Sequence, residues 1–199
     1  MSTPLRTLLA QFRDSSRTER EKGTYFERLA VAFLKNDPGM TQEYEGAWMF
    51  GDWAKAHGLT ASDIGIDAVA KIRGEDAFCA VQCKFYAEGY HIQKKDIDSF
   101  LSSSQQKHFA RGLIIETTGA PWSSNAEALL DDLNITTIGL ERLEASPIDW
   151  SAWFQREEVK LAAPKQLRPH QVEALAAVET GLADWGGLAP DPARFTPVI

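Results

Sequence analysis

Two alternating runs, Ile66–Ile72 and Ala77–Phe85, stand on either side of Arg73-Gly74-Glu75-Asp76. Alternation on both sides of a short glycine-bearing turn specifies an antiparallel β-hairpin. With Gly74-Glu75 at the tip, Arg73 lies opposite Asp76 and the numbers of facing residues sum to 149. Asp67 then faces Gln82, whereas a slip of two residues would set it against Lys84. Side chains alternate between faces, so Asp67, Val69 and Lys71 share one face with Phe78, Ala80, Gln82 and Lys84. Cys79, Val81, Cys83 and Phe85 turn the other way, toward a core. In either register a carboxylate, an amide and an ammonium emerge together at the open end of the hairpin.

Such a trio suits metal-assisted hydrolysis of a phosphodiester. Asp67 would ligate a hard divalent cation, Gln82 would add a neutral carbonyl oxygen, and Lys84 would hold the attacking water or neutralise charge on the phosphate. The competing explanation is an ordinary amphipathic hairpin with Asp, Gln and Lys on its surface. Spelled Asp-x14-Gln-x-Lys, the stretch resembles the PD-(D/E)XK nuclease signature, in the Gln-x-Lys form of Mrr-like restriction endonucleases. It departs from the commoner pattern at Gln82, where the second acid usually stands. That departure implies a weaker hold on metal unless another carboxylate helps. Glu27, in Gly23-Thr24-Tyr25-Phe26-Glu27, resembles the glutamate that such nucleases often carry on their first core helix to help bind metal. Thr24-x-x-Glu27 also reads as a capping box, in which Glu27 would bond back to the helix start.

The chain has 199 residues, 44% of them hydrophobic, enough for one full core and a tail. No apolar run approaches the roughly 18 residues of a membrane span. The first twenty residues lack a basic start, an apolar block and a small-residue cleavage site, so a cytoplasmic location is expected. Cys79 and Cys83 lie four residues apart on one strand, too far to bridge, and have no His or Cys partners nearby that would make them a metal pair. The net charge of −7 argues at first against a nucleic-acid partner. Its distribution changes that reading. Residues 1–115 balance 15 basic against 15 acidic side chains, while residues 116–158 carry 2 against 9. The half with the hairpin is neutral, and Lys71, Arg73, Lys84, Lys94 and Lys95 remain able to meet phosphate.

In chain order, Leu5, Leu8, Leu9 and Phe12 mark a helix from Pro4 to Phe12, followed by a charged connector, Arg13 to Lys22. A second helix is expected from Thr24 to Lys35, stopped by Asn36-Asp37-Pro38-Gly39. A short strand near Ala47–Phe50 and one or two helical turns at Asp52–His57 follow, with Trp48 and Trp53 as packing residues. A polar loop, Leu59 to Asp63, delivers the chain to Gly65, where glycine lets the backbone come close beside the acid. After the hairpin come a helix from Lys94 to Lys107 with Ile97, Phe100, Leu101 and Ser104 on one face, and a buried strand, Gly112–Thr117. A helix capped by Ser124 and a strand, Ile135–Ile138, complete the series. His91 and His108 read as surface or loop residues, and Thr117-Thr118-Gly119 as a turn. The order implies an α/β fold with a mixed central sheet flanked by helices. It is similar to the restriction-endonuclease-like αβββαβ core over residues 23–140.

Trp150, Trp153 and Phe154 would close that domain on a short helix. Beyond Leu161-Ala162-Ala163-Pro164, the segment Leu167 to Ala174 opens a helix with proline in its first turn. This segment resembles the approach to a superfamily 2 helicase motor, in which a glutamine reads adenine, and Gln171 is the matching position. Read without the resemblance, it is an amphipathic helix with Val172, Leu175 and Ala176 on one face. No P-loop or Rossmann glycine fingerprint occurs, so no ATPase activity is expected within the chain. The organisation expected is an N-terminal helix and connector over 1–22, a nuclease domain over 23–158, and a linker with an incomplete helicase-like start over 159–199. A nuclease ahead of a motor resembles the N-terminal part of type ISP restriction enzymes. The resemblance implies a magnesium-dependent endodeoxyribonuclease (manganese substituting) acting on double-stranded DNA. Helicase or translocase and methyltransferase domains would be its partners in the same or a larger polypeptide. A reading of another class is a non-catalytic DNA-binding or docking module coupled to a motor.

Overall fold

The structure is a computed structural model that describes residues 3–16, 18–60, 65–156, 161 and 168–185. Asp63 and residues 186–199 lie outside that set, as does most of the 161–164 connector. The chain forms two compact units, Met1–Ala162 and Ala163–Ile199.

In the first unit, helix α1 spans Pro4–Ser15, with Thr3 as its cap and Leu5, Leu8, Leu9 and Phe12 buried. Helix α2, Glu19–Asn36, starts at Glu19 rather than Thr24, so most of the expected connector is helical. The Thr18 hydroxyl caps it by accepting the Glu21 N–H at 3.1 Å. Glu19, Arg20, Glu21 and Lys22 are good helix formers, and acids in a first turn suit the helix dipole. Thr24 sits inside the helix and donates to the Arg20 carbonyl. The capping-box reading of Glu27 therefore falls.

A single turn, α3 (Met40–Glu43), leads into strand β1, Tyr44–Met49, which begins three residues ahead of the expected strand. Helix α4, Phe50–Ala56, buries Trp53. Trp48, expected to pack, is instead 43% exposed on the sheet edge. The hairpin is β2 (Ala68–Ile72) and β3 (Phe78–Lys84). The expected helix from Lys94 to Lys107 is shorter, a 3₁₀ turn at Lys94–Asp96 followed by α5 at Asp98–Ser103. Serines at 102–104 compete for the backbone, and the Ser104 hydroxyl bonds back to the Leu101 carbonyl. The face predicted for it, Ile97, Phe100, Leu101 and Ser104, is buried as expected. Strand β4 (Phe109–Glu116), helix α6 (Ser124–Asp132, preceded by Ser123 rather than Ser124 at the cap position) and strand β5 (Ile135–Ile138) follow. Helices α7 (Leu140–Glu144) and α8 (Trp150–Arg156) end the unit's regular structure.

The five strands run in the order β1-β2-β3-β4-β5. The first three are antiparallel, and β4 and β5 add in parallel. One face of the sheet carries Ala68, Ala70, Ile72, Cys79, Val81, Leu113 and Ile115 against α1, α2 and the α7–α8 segment. The other carries Val69, Ala80 and Ile114 against Trp53, Phe100, Ala126 and Leu130 of the helices opposite. Because both faces are covered, β3 and β4 are apolar almost throughout. Burial pushes the Cys79 thiol up to about 12. Both cysteines are free thiols. Among the described residues no helix is long and apolar enough to cross a membrane.

The second unit contains α9, Pro169–Trp185, with proline at its first position. Val172, Leu175 and Val178 of this helix are exposed.

Candidate active site

The β2–β3 register places Ala68 opposite Val81 and Lys71 opposite Phe78, the register set by a Gly74-Glu75 tip. One step beyond the ladder Asp67 is paired with β3 through its backbone, its N–H donating to the Val81 carbonyl at 2.9 Å. Its side chain crosses to the neighbouring strand, where Oδ2 accepts the Cys83 N–H at 2.7 Å. That bond fixes the Asp67 carboxylate between Gln82 and Lys84.

Gln82 is buried, 4% exposed. Its amide nitrogen donates to the Gly65 carbonyl at 3.0 Å. That bond settles which end of the amide is which, since a flipped amide would set two oxygens face to face. The Oε1 atom is then buried with no hydrogen-bond partner among the described residues. A buried carbonyl oxygen left unsatisfied costs roughly 1–3 kcal/mol, a cost normally met by a partner. Gly65 makes the arrangement achievable. Its φ is +79°, and a Cβ there would lie 2.5 Å from the Ser99 hydroxyl and 3.1 Å from the Phe100 nitrogen.

Lys84 closes β3 on the same face. Burial lowers its ammonium from the ordinary value, while the fields of Asp67, Asp96 and Cys83 act in the opposite sense. Its Nζ stands 6.0 Å from the centre of the Tyr86 ring. Glu27 reaches this end of the sheet because Phe26 stacks on Phe85 at 5.2 Å, clamping that turn of α2 beside the end of β3. Burial pushes the Cys83 thiol well up, with Asp67 and Glu27 adding to the effect and Lys84 opposing it. The charges of Asp67, Glu27 and Lys84 are thus all felt at the Cys83 thiol.

Lys71 stands toward the hairpin tip, where its ammonium pairs with Asp76 at 3.1 Å. Lys94 and Lys95 are exposed on the 3₁₀ turn, and Lys94 pairs with Asp98. His91 is bonded through Nδ1 to the Pro121 carbonyl. His108 lies against Trp53 at 6.0 Å. Gln171, in the second unit, accepts the Arg168 N–H through its side chain. Asp96 was missed by sequence reasoning. Gln93-x-x-Asp96 has capping-box spacing, which would have flagged the residue as fixed but not as a neighbour of Lys84.

A divalent cation fits the donors present. Asp67 and Glu27 offer carboxylate oxygens, and Gln82 offers the buried orphan Oε1, a set of hard oxygens suited to magnesium or manganese. Among the described residues no three His, Cys, Asp or Glu side chains form a metal-holding group. The set thus depends on the amide.

Residues 35–160 match the family model described as restriction endonuclease. Among solved structures the chain is similar to the ATP-dependent type ISP restriction-modification enzyme LlaBIII bound to DNA, at 29% identity and a TM-score of 0.68. That likeness covers 94% of this chain and 11% of the other, so this chain spans about a ninth of LlaBIII's length. The MspJI restriction endonuclease in complex with a 27-mer oligonucleotide is similar at 13% identity and a TM-score of 0.44, over 85% of this chain and 38% of that one. For the restriction endonuclease FokI bound to DNA the values are 13%, 0.37, 72% and 29%. No curated protein matches the chain.

Proposed function

The chain belongs to the Mrr-like restriction endonuclease family, and from that premise we propose that it is a divalent-metal-dependent DNA endonuclease domain that cuts phosphodiester bonds in foreign DNA. The observation that carries the reading is the Gln82 Oε1 atom, buried and, among the described residues, unpartnered beside the fixed Asp67 carboxylate. An ordinary surface hairpin has no reason to bury an unsatisfied oxygen there.

Asp67 and Gln82, with Glu27 from α2, would hold the cation, magnesium or manganese in its place. When bound, the ion would supply Lewis-acid polarisation of the phosphate and a lowered pKa for bound water. Asp67 is pre-set for this by the Cys83 N–H, and Gln82 by the Gly65 carbonyl, so neither has to reorganise. Lys84 sits where burial strips its ammonium of water, which strengthens its attraction to charge building on the phosphate and to the attacking water. Lys71, Lys94 and Lys95 would add weak, salt-sensitive contacts to the DNA backbone.

The wider organisation follows the likeness to LlaBIII. The nuclease domain would occupy 23–158 behind the helix and connector of 1–22, with 159–199 as linker and the start of a helicase-like domain. Gln171 would read adenine once the rest of that domain is present. Translocase and methyltransferase domains would act with it in the cytoplasm. The test is nicking of supercoiled plasmid by the full chain in magnesium or manganese. The expected result is cleavage that stops with chelator and is abolished by Asp67→Ala. Equal cleavage by a folded Asp67→Ala variant would sink the assignment. Plasmid binding without cleavage by the wild type in either metal would favour a docking module instead.

A further inference from the structure

Lys84 has a second acidic neighbour that the Asp-x14-Gln-x-Lys pattern does not include. Asp96 closes the 3₁₀ turn that follows the Phe85–Gln93 loop. Its Oδ2 accepts two hydrogen bonds, from the Gln93 N–H at 2.8 Å and from the Tyr90 hydroxyl at 2.9 Å. Among the described residues Oδ1 makes no hydrogen bond. The Tyr90 ring lies 4.6 Å from the Tyr86 ring, and the Lys84 ammonium stands over the latter at 6.0 Å. A continuous path of contacts thus runs from Asp96 through Tyr90 and Tyr86 to Lys84. The loop bearing it is tied on two sides. The Tyr86 carbonyl accepts from Thr117 and Arg13, and the Gly89 N–H donates to the Thr118 carbonyl.

A cap alone does not account for this. An asparagine would cap the turn equally well, and no cap needs a tyrosine hydroxyl on the same oxygen. A first-turn acid also suits the helix dipole, so the feature left over is the Tyr90 bond, which ties the Asp96 carboxylate to the ring path that ends at Lys84, beside a site whose second acid is the neutral Gln82. We propose that Asp96 is a positioning residue for Lys84: fixed through Oδ2 by Gln93 and Tyr90, its carboxylate holds the ammonium over the Tyr86 ring and returns part of the negative charge that Gln82 leaves out. The catalytic importance of this rests on the nuclease reading of Lys84, but the path through Tyr90 and Tyr86 does not.

The experiment is nitrogen-15 NMR of the Lys84 ammonium in the full chain, free of metal and DNA. Asp96→Asn keeps an oxygen to accept both bonds and deletes only the charge. It should shift the Lys84 signal and lower its order parameter toward that of exposed Lys35. Tyr90→Phe, which leaves the Gln93 bond intact, should do the same to a smaller extent. Asp98→Asn, which removes a carboxylate two residues further on, should leave the Lys84 signal alone. An unchanged Lys84 signal in Asp96→Asn overturns the proposal. If that variant disturbs the backbone beyond the 3₁₀ turn, Tyr90→Phe decides by the same readout. In the plasmid assay Asp96→Asn should lower kcat by on the order of ten- to a hundredfold, the scale of a small misplacement, with KM for DNA unchanged. A change in KM alone would make Asp96 a DNA contact and overturn the positioning role. Since the NMR readout needs no cleavage, a failed Asp67→Ala result sinks the nuclease reading without touching this one.

Discussion

Gln82→Glu adds the acid that the commoner nuclease pattern carries, and the structure sets the cost. The amide donates to the Gly65 carbonyl at 3.0 Å, and a carboxylate would present an oxygen to that carbonyl instead. Losing a buried hydrogen bond and leaving an acceptor unsatisfied costs roughly 1–3 kcal/mol. At about 2–4 °C per kcal/mol for a chain this size, the metal-free variant should melt roughly 2–12 °C below wild type. Melts should run at pH 8, since a protonated glutamate would restore the missing donor. Manganese should reverse the order of gain. Hard cations prefer charged oxygens, and a tenfold tighter Kd returns about 1.4 kcal/mol at saturating metal. The assay is thermal unfolding of both proteins in chelator and across a manganese series. If Gln82→Glu melts with wild type in chelator and gains no more from manganese, the Gln82 oxygen does not face a metal.

Lys84→Ala should leave manganese affinity unchanged in calorimetry while removing plasmid cleavage, because the lysine acts on water and phosphate rather than on the ion. Gly65→Ala meets a positive φ, the Ser99 side chain and the Phe100 backbone. It should cost at least about 1–2 kcal/mol in denaturant unfolding and weaken metal binding as the Gln82 partner shifts. Asp37 is buried and paired with Arg142. Burial raises its carboxyl, but hydrogen bonds from Arg142, Ser146 and the Met40 N–H outweigh that and leave it below the ordinary value. A depressed folded pKa stabilises above the unfolded value near 4 and is lost as pH falls through the folded one. Asp37→Asn should therefore cost about 2 kcal/mol at pH 7, less than a fully buried pair because the Arg142 side chain is 38% exposed. The gap in melting temperature should close in acid.

The hairpin was legible because alternation and a glycine turn act locally. A register counted from Gly74-Glu75 reproduces the observed ladder from Ala68 opposite Val81 to Lys71 opposite Phe78. The mixed sheet was legible for a related reason, since β3 and β4 are apolar on both faces. The start of α2 was not. Charged residues such as Arg20 and Lys22 look like a linker to a reader of hydrophobic pattern, yet they extend the helix by propensity and ion pairing. The Lys94–Lys107 segment failed in the opposite way, for its apolar spacing continues past the point where serine side chains take over the backbone bonds. Within the site, the orphan oxygen of Gln82 depends on which backbone carbonyl its nitrogen meets, and Gly65 lies 17 residues away. Nor could spacing reveal that the loop after Lys84 folds back to bring Asp96 near it.

The most direct test of the metal site is anomalous diffraction from crystals of the chain soaked in manganese. The account predicts one ion bonded to the Asp67 carboxylate and to Gln82 Oε1, at the roughly 2.1 Å expected for a small hard cation, with Lys84 alongside. Manganese bound elsewhere while those two oxygens stay bare would contradict it.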